Sequence, residues 1–131
     1  MALVKNFLEW VGLKEKIHIQ SSCPTFYKEG DIWWCAIGEN VGIEINGKGK
    51  MFSRPVYVYK KLSKNGFLGL PLSTKNKIGS WYVEISFQDK KSIVNLSQVR
   101  SFSSSRMYEK MGALDDNDRT KIKNGFLRLY S

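Results

Sequence analysis

From Gly30 to Phe102 the sequence alternates apolar and polar residues in short runs, punctuated by glycines and polar turns, with no helix-length segment between them. This pattern narrows the fold most, because parallel strands need long crossovers whereas closely spaced strands pair antiparallel. Asp31–Gly38 (DIWWCAIG) is rich in aromatic and β-branched residues and ends at glycine. A glycine-dotted loop, Asn46–Ser53 (NGKGKMFS), has the composition of a mobile surface segment and leads to RPVYVYKK. Pro55 cannot donate to a sheet ladder, so this strand starts at an edge or at its first residue, with Arg54 at its mouth. Ser63–Gly66 (SKNG) contains Asn-Gly, a strong hairpin signal, so Phe67–Leu72 returns antiparallel. A polar loop, Ser73–Ser80, precedes Trp81–Gln88, and Asp89-Lys90-Lys91 turns into Ser92–Phe102. The expected core is a small antiparallel β-barrel in an α+β domain.

The flanks read as helices. Leu3, Phe7 and Val11, and beside them Val4, Leu8 and Val11, recur at three- and four-residue intervals and predict a short amphipathic N-terminal helix. It packs on the outside of the domain or at a dimer seam, or it docks on a membrane surface or a partner. Lys5, Glu9 and Lys14 break its apolar runs below signal-peptide length, and nothing approaches the ~20 apolar residues of a membrane span. At the other end, Ser103, Ser104 and Ser105 offer N-caps for a helix over RMYEKMG that Gly112 ends. A second helix starts at DDND and presents Ile122, Phe126, Leu127 and Tyr130 on one face.

At 131 residues and 42% hydrophobic, the chain has room for one core. We divide it into an extension, residues 1–28, and a domain, residues 29–131. Two cysteines, Cys23 and Cys35, and one histidine, His18, support neither a zinc site nor a disulfide framework. Unpaired cysteines and the lack of a signal sequence lead us to expect a cytoplasmic protein.

The formal net charge is +9, and its placement matters more than its size. Between Ile45 and Val83 lie Lys48, Lys50, Arg54, Lys60, Lys61, Lys64, Lys75 and Lys77, and no acidic residue. Such a one-signed stripe is the footprint of nucleic-acid binding, unless it is simply a solvated basic face. Phe52, Tyr57, Tyr59 and Phe67 interleave with it; exposed ones would stack on unpaired bases, although alternation places several in the core.

Four segments in order then resemble the MazF/PemK family of toxin endoribonucleases. GDIWWCAIG, VGIE and RPVYV are similar to its GDI-W/Y-x-x-x-G, G-x-E and RPV-x-V opening; LPLST resembles its strand closing on Thr or Ser. SIVNLSQVRSF is similar to V-x-L-x-Q-[IV]-R-[ST], and SSRMYEKMGALDD to R-[LM]-x-x-K-[IM]-G-x-L. The resemblance covers about Glu29 to Tyr130. It implies an SH3-like barrel with a C-terminal helix, usually a homodimer, that cuts single-stranded RNA at short preferred sequences without a metal ion or other cofactor. The ribose 2′-OH attacks the neighbouring phosphate, leaving a 2′,3′-cyclic phosphate and a 5′-OH. It also implies a cognate antitoxin, whose acidic, poorly structured segment would fold along the basic groove.

Carried over, Arg54 and Ser73 match the positions the family uses at the scissile phosphate. An arginine fork binds two non-bridging oxygens and offsets charge as the phosphorane forms, and a hydroxyl beside it donates to a third. A guanidinium is a poor base at neutral pH, so Arg54 is read as a transition-state stabiliser. Without the resemblance, it would read as a strand-leading surface ion-pair residue. Ser73 stands where relatives carry Thr, and Ile43, Asn95 and Ser97 stand where some carry His, Arg and Asp. Glu44 is then the remaining carboxylate able to take the 2′-OH proton, or else it fixes its own turn by a hydrogen bond. Lys48, Lys50, Lys75 and Lys77, with Thr74, are candidate phosphate contacts. Gln98 and Arg100, two apart on a strand, share a face and shape an RNA groove or dimer seam, or form an edge ion pair. The alternative is a non-catalytic RNA-binding or gyrase-targeting module, since the same barrel also serves gyrase-poisoning toxins.

Overall fold

A computed structural model describes residues 6–19 and 26–131. Its elements are α1 (Phe7–Ile19), β1 (Asp31–Ala36), β2 (Ser53–Ser63), β3 (Gly66–Ser73), β4 (Tyr82–Phe87), β5 (Lys90–Asn95), β6 (Arg100–Ser103), β7 (Met107–Ala113) and α2 (Asp116–Tyr130). Among the described residues the strands pair antiparallel, in the order β4-β5-β3-β2-β1-β7, with β6 also on β3. β3 holds the structure together: one edge pairs β2 from Gly66 to Pro71, while the other pairs β6 at Gly66–Gly69 and β5 at Leu72 and Ser73. The sheet therefore curls as expected for a small barrel, with no β4–β7 pairing among the described residues. No helix among those residues is long and apolar enough to cross a membrane.

Both faces of β1, β2 and β3 are buried. Ile32, Tyr57 and Leu70 join Leu72, Ile85, Val94 and Ile122 on one side; Cys35, Val56, Val58 and Phe67 join Tyr27, Phe102 and Met107 on the other. α2 closes the first cluster. Asp115 caps it, its Oδ1 accepting from Asp118 N at 2.9 Å, and Gly125 lets the helix approach Val83 and Leu96. Ile122 is fully buried there, and its truncation to Ala would cost about 2–5 kcal/mol. Phe126 stacks on Tyr59 with ring centroids 4.3 Å apart, but Leu127 faces solvent.

Asp31 shows why the chain turns into β1 where it does. Its buried carboxylate accepts from Lys28 N and Trp33 Nε1 and pairs with Lys110 of β7 at 3.5 Å. Before it, Gly30 has φ +96°, and any Cβ would meet the Arg119 guanidinium of α2.

Several expectations need correction. RMYEKMG is not a helix: Ser104–Arg106 makes a single 3-10 turn, and Met107–Ala113 is β7 on the free edge of β1. Pairing that edge satisfies backbone groups that a short, marginal helix would have left open. Gly112 is a strand residue at φ +157° packed against the Phe87 ring, not a helix C-cap. Ser92–Phe102 is not one strand, because Asn95 Oδ1 accepts from Ser97 N and Oγ and caps a 3-10 turn at Leu96–Gln98. The β4–β5 turn is centred on Gln88 and Asp89, both at positive φ, one residue before the expected place.

α1 is present, but its inward face differs. Trp10, Leu13 and Ile17 pack on the domain, while Leu8 and Val11 are 89% and 58% exposed. Leu3, Val4 and Cys23 lie outside the described residues. The Asn46–Ser53 loop is anchored rather than loose, since Phe52 is buried against Trp10 and Ala36. Phe67, Tyr57 and Phe52 are core residues, and Tyr59 is engaged with Phe126, so the proposed base-stacking aromatics are committed to packing.

Candidate active site

The β2–β3 ladder creates the site. The ladder closes with Val56 paired to Pro71 and Tyr57 to Leu70, and Arg54 and Ser73 lie just beyond it, at the open end of the hairpin. Arg54 pairs with Cys35 of β1, and Ser73 with Ile93 of β5, so each backbone is held by a neighbouring strand.

Their side chains are partly committed. Arg54 Nε donates to the carbonyl of Asn46, which leaves the two Nη groups as its remaining donors. Partial burial lowers the Arg54 pKa from the usual arginine range, and the same desolvation strengthens its attraction for an anion. Ser73 Oγ accepts from Lys75 N at 3.2 Å, so its hydroxyl proton remains available to a ligand.

Two cavities meet at this pair. The larger, about 400 Å³, is lined by Arg54, Ser73, Thr74, Lys48, Trp34 and Tyr108 among others. A smaller one of about 110 Å³ brings Arg54 and Ser73 together with Lys75, Lys77, Asn95 and Gln98. Among the described residues, no acidic side chain lines either one.

Not every candidate residue reaches them. Glu44 lies in a neighbouring cavity of about 270 Å³ with Gln98 and Arg100, and its Oε1 accepts from Val41 N at 2.8 Å, fixing the turn. Gln98 ends the 3-10 turn and Arg100 opens β6, so they are not on one strand, yet they line this same cavity. The Arg100 guanidinium lies 4.8 Å from the Phe102 ring centroid. Lys50 is exposed on the turn before Phe52 and lines none of the three. Of the other stripe lysines, Lys60 and Lys61 serve the far end of β2, where Glu29 pairs with the Lys60 ammonium and accepts from Lys61 N.

Sequence reading missed Trp34 and Tyr108 as lining residues. Tyr108 donates its hydroxyl to Ser53 Oγ at 2.8 Å, beside Arg54. It was hidden by the helical reading of its segment; assigning that segment to a strand would have placed it beside Trp34, which pairs with Glu109. Tyr82 also lines the smaller cavity, with the Lys77 ammonium 5.6 Å from its ring centroid. Among the described residues, no group of three or more His, Cys, Asp or Glu side chains gathers as a metal ligand set.

A family model for the PemK-like, MazF-like toxin of type II toxin–antitoxin systems matches residues 28–130. The chain belongs to this family. No curated protein matches it by sequence. Solved structures share the fold at low identity. Crystalline MazF from Deinococcus radiodurans superposes with a TM-score of 0.65 at 19% identity, covering 84% of this chain and 98% of that one. An endoribonuclease from a mycobacterial species, in complex with its cognate antitoxin, gives 0.63 at 12%, covering 79% and 94%. A MazE–MazF structure from D. radiodurans gives 0.62 at 14%, covering 85% and 98%. Arg54 and Ser73 lie within the matched residues, whereas α1 precedes them.

Proposed function

We propose that this protein is the toxin of a type II toxin–antitoxin pair and cuts single-stranded RNA by transesterification, with no metal ion. The observation that carries this reading is that Arg54 and Ser73 both line two cavities edged by Lys48, Lys75 and Lys77. The lysines hold flanking phosphates as point charges. The scissile phosphate sits between Arg54 and Ser73, the Nη groups donating to non-bridging oxygens and the Ser73 hydroxyl to a third.

In the reaction the ribose 2′-oxygen bonds to phosphorus, the bond from phosphorus to the 5′-oxygen breaks, and a 2′,3′-cyclic phosphate and a 5′-OH result. Negative charge grows on the non-bridging oxygens, where Arg54, already partly desolvated, stabilises the transition state more than the ground state. With no carboxylate or imidazole lining the two cavities, the 2′-OH proton passes to water or to a phosphate oxygen. The leaving 5′-oxygen takes a proton from water or from Arg54. Thr74 and Gln98, on the rims of the two cavities, contact the flanking nucleotides. A cognate antitoxin with an acidic segment and a second copy of the chain are the proposed partners, in line with the antitoxin-bound mycobacterial endoribonuclease and the MazE–MazF structure.

The test is incubation with a long mixed-sequence RNA in excess EDTA, beside R54A and S73A, followed by mapping of cut sites and end groups. Recurrent cuts with 2′,3′-cyclic phosphate and 5′-OH ends, abolished in R54A, are expected. RNA that is bound in a salt-dependent way but stays intact would instead make this a binding module with Arg54 as a phosphate anchor.

A further inference from the structure

We propose that Trp10 of α1 is a positioning residue for Arg54, acting through Phe52 and the loop between β1 and β2. Only the kinetic part of the argument rests on the nuclease reading; the positioning itself is a statement about geometry.

Phe52 has φ +48°, in the left-handed region, which a bulky side chain occupies only when its surroundings hold it there. Those surroundings are specific. Phe52 is 7% exposed, and its ring lies against the Trp10 indole, with centroids 5.7 Å apart. Its carbonyl accepts from both Ile37 N, at 2.9 Å, and Gly38 N, at 3.0 Å, and its N–H donates to Gly49 O at 3.1 Å. Trp10 itself, 5% exposed, rests directly on Gly38, where a Cβ would come within 2.1 Å of the indole. The Arg106 guanidinium lies 5.8 Å from the Trp10 ring centroid and donates to Ala36 O. Trp10 is thus seated on the end of β1 and covers the ring whose backbone must stay left-handed.

Holding Phe52 holds the loop before it. Gly47 N donates to Gly38 O at 2.8 Å, and Lys48 and Ser53 exchange backbone hydrogen bonds at 2.9 and 3.0 Å across the turn. Gly47 lies so close to Phe52 O that no Cβ would fit. This closed turn sets Asn46 O where it accepts from Arg54 Nε and sets Lys48 in the larger cavity. Uncovering Phe52 removes the packing that offsets its backbone strain. The turn then relaxes, and Arg54 loses the acceptor that fixes its fork. Arg54 without that anchor samples several rotamers, and its phosphate geometry becomes a minor state.

The test compares full-length wild type, W10A, W10F and F52A. Circular dichroism and thermal melting establish that each variant is folded. In protein carrying ¹⁵N-arginine, the Arg54 Nε–Hε cross-peak, assigned by its loss in R54A, is expected to be protected from solvent exchange in wild type and W10F, and lost in W10A and F52A. On RNA, W10A is expected to show a kcat about 10- to 100-fold lower, with KM changed less than about threefold, and W10F to restore it. F52A removes the contact from the domain side with Trp10 intact, so it carries the same readouts should W10A fail to fold. A folded W10A with the Arg54 cross-peak in place and kcat unchanged overturns the proposal. If wild type cuts no RNA, the nuclease reading falls, and the cross-peak alone decides whether Trp10 positions Arg54.

Discussion

The side-chain amide of Gln98 and the backbone of Ile45, 53 residues apart in the chain, are hydrogen bonded at 3.0 Å, Oε1 accepting from N–H. The other half of the amide donates from Nε2 to Ile43 O at 3.3 Å, so Gln98 pairs with the loop much as a neighbouring strand would. Both Ile43 and Ile45 also line the small cavity that contains Arg54 and Ser73. Gln98→Ala should therefore lower the melting temperature by only about 3–5 °C, as expected for a loss of about 1 kcal/mol. Its kcat/KM on RNA should fall by more than about tenfold, because the loop wall moves. A drop in stability with unchanged kcat/KM would confine Gln98 to a structural role.

Glu44 offers a sharper separation of roles. Its carboxylate accepts from Val41 N and lines the cavity next to the Arg54 site rather than the site itself. Glu44→Gln keeps an acceptor for Val41 and removes the charge, so cleavage should stay within about threefold of wild type. A loss of about 100-fold or more, with the alkaline shift in the pH–rate profile that loss of a base produces, would identify Glu44 as the acceptor of the 2′-OH proton.

Lys75 and Lys77 line the smaller cavity and belong to the loop that follows Ser73. Each phosphate contact on a single strand contributes about −0.7 to the slope of log K against log salt. Replacing both by Gln should flatten that slope by about 1.4, measured by fluorescence anisotropy with an R54A background to prevent cutting. Lys60→Gln, remote from the cavities and paired with Glu29, should leave the slope unchanged.

Alkaline pH should weaken the fold through its tyrosines. Burial raises the phenol pKa of Tyr27, Tyr57 and Tyr59 above the ordinary value. Below pH ~10 both the folded and unfolded chains keep these protons, and the contribution is fully present. As pH rises through the raised values, the unfolded chain ionises first and stability falls. Tyr27 donates to the carbonyls of Ser63 and Gly66 at the tip of the β2–β3 hairpin. Tyr27→Phe should cost about 1–2 kcal/mol at pH 7 in denaturant unfolding and should reduce the further loss as the pH rises above ~10.

The antiparallel pairing of β2 with β3 across the Asn-Gly hairpin was legible because turn chemistry and alternation are local properties, but its register was not, since irregularities between Val58 and Lys60 and between Lys61 and Ser63 shift it. The family motifs and α2 were legible for the same reason: Asp115 caps α2 where the acidic cluster begins, Arg54 sits where RPV opens its strand, and Ser73 sits where LPLST closes its own. RMYEKMG was not, because nothing in its own residues states that β1 has an unpaired edge. Competition between a short helix and a ladder is decided by the partner. The 3-10 turn at Leu96–Gln98 was a milder failure, signalled by Asn95 but outweighed by the apolar run on either side.

By itself, the sequence determined an antiparallel, strongly basic domain with a toxin-family core, since charge, turn residues and periodicity are carried by neighbours in the chain. Tertiary structure decided which charges act together and which aromatics are spent. Lys60 and Lys61 go to Glu29 and Tyr27 while Lys48, Lys75 and Lys77 converge on Arg54, and Phe52 goes to Trp10 rather than to solvent. Those choices depend on contacts between segments far apart in the chain, which close only when the sheet curls, and no local preference encodes them.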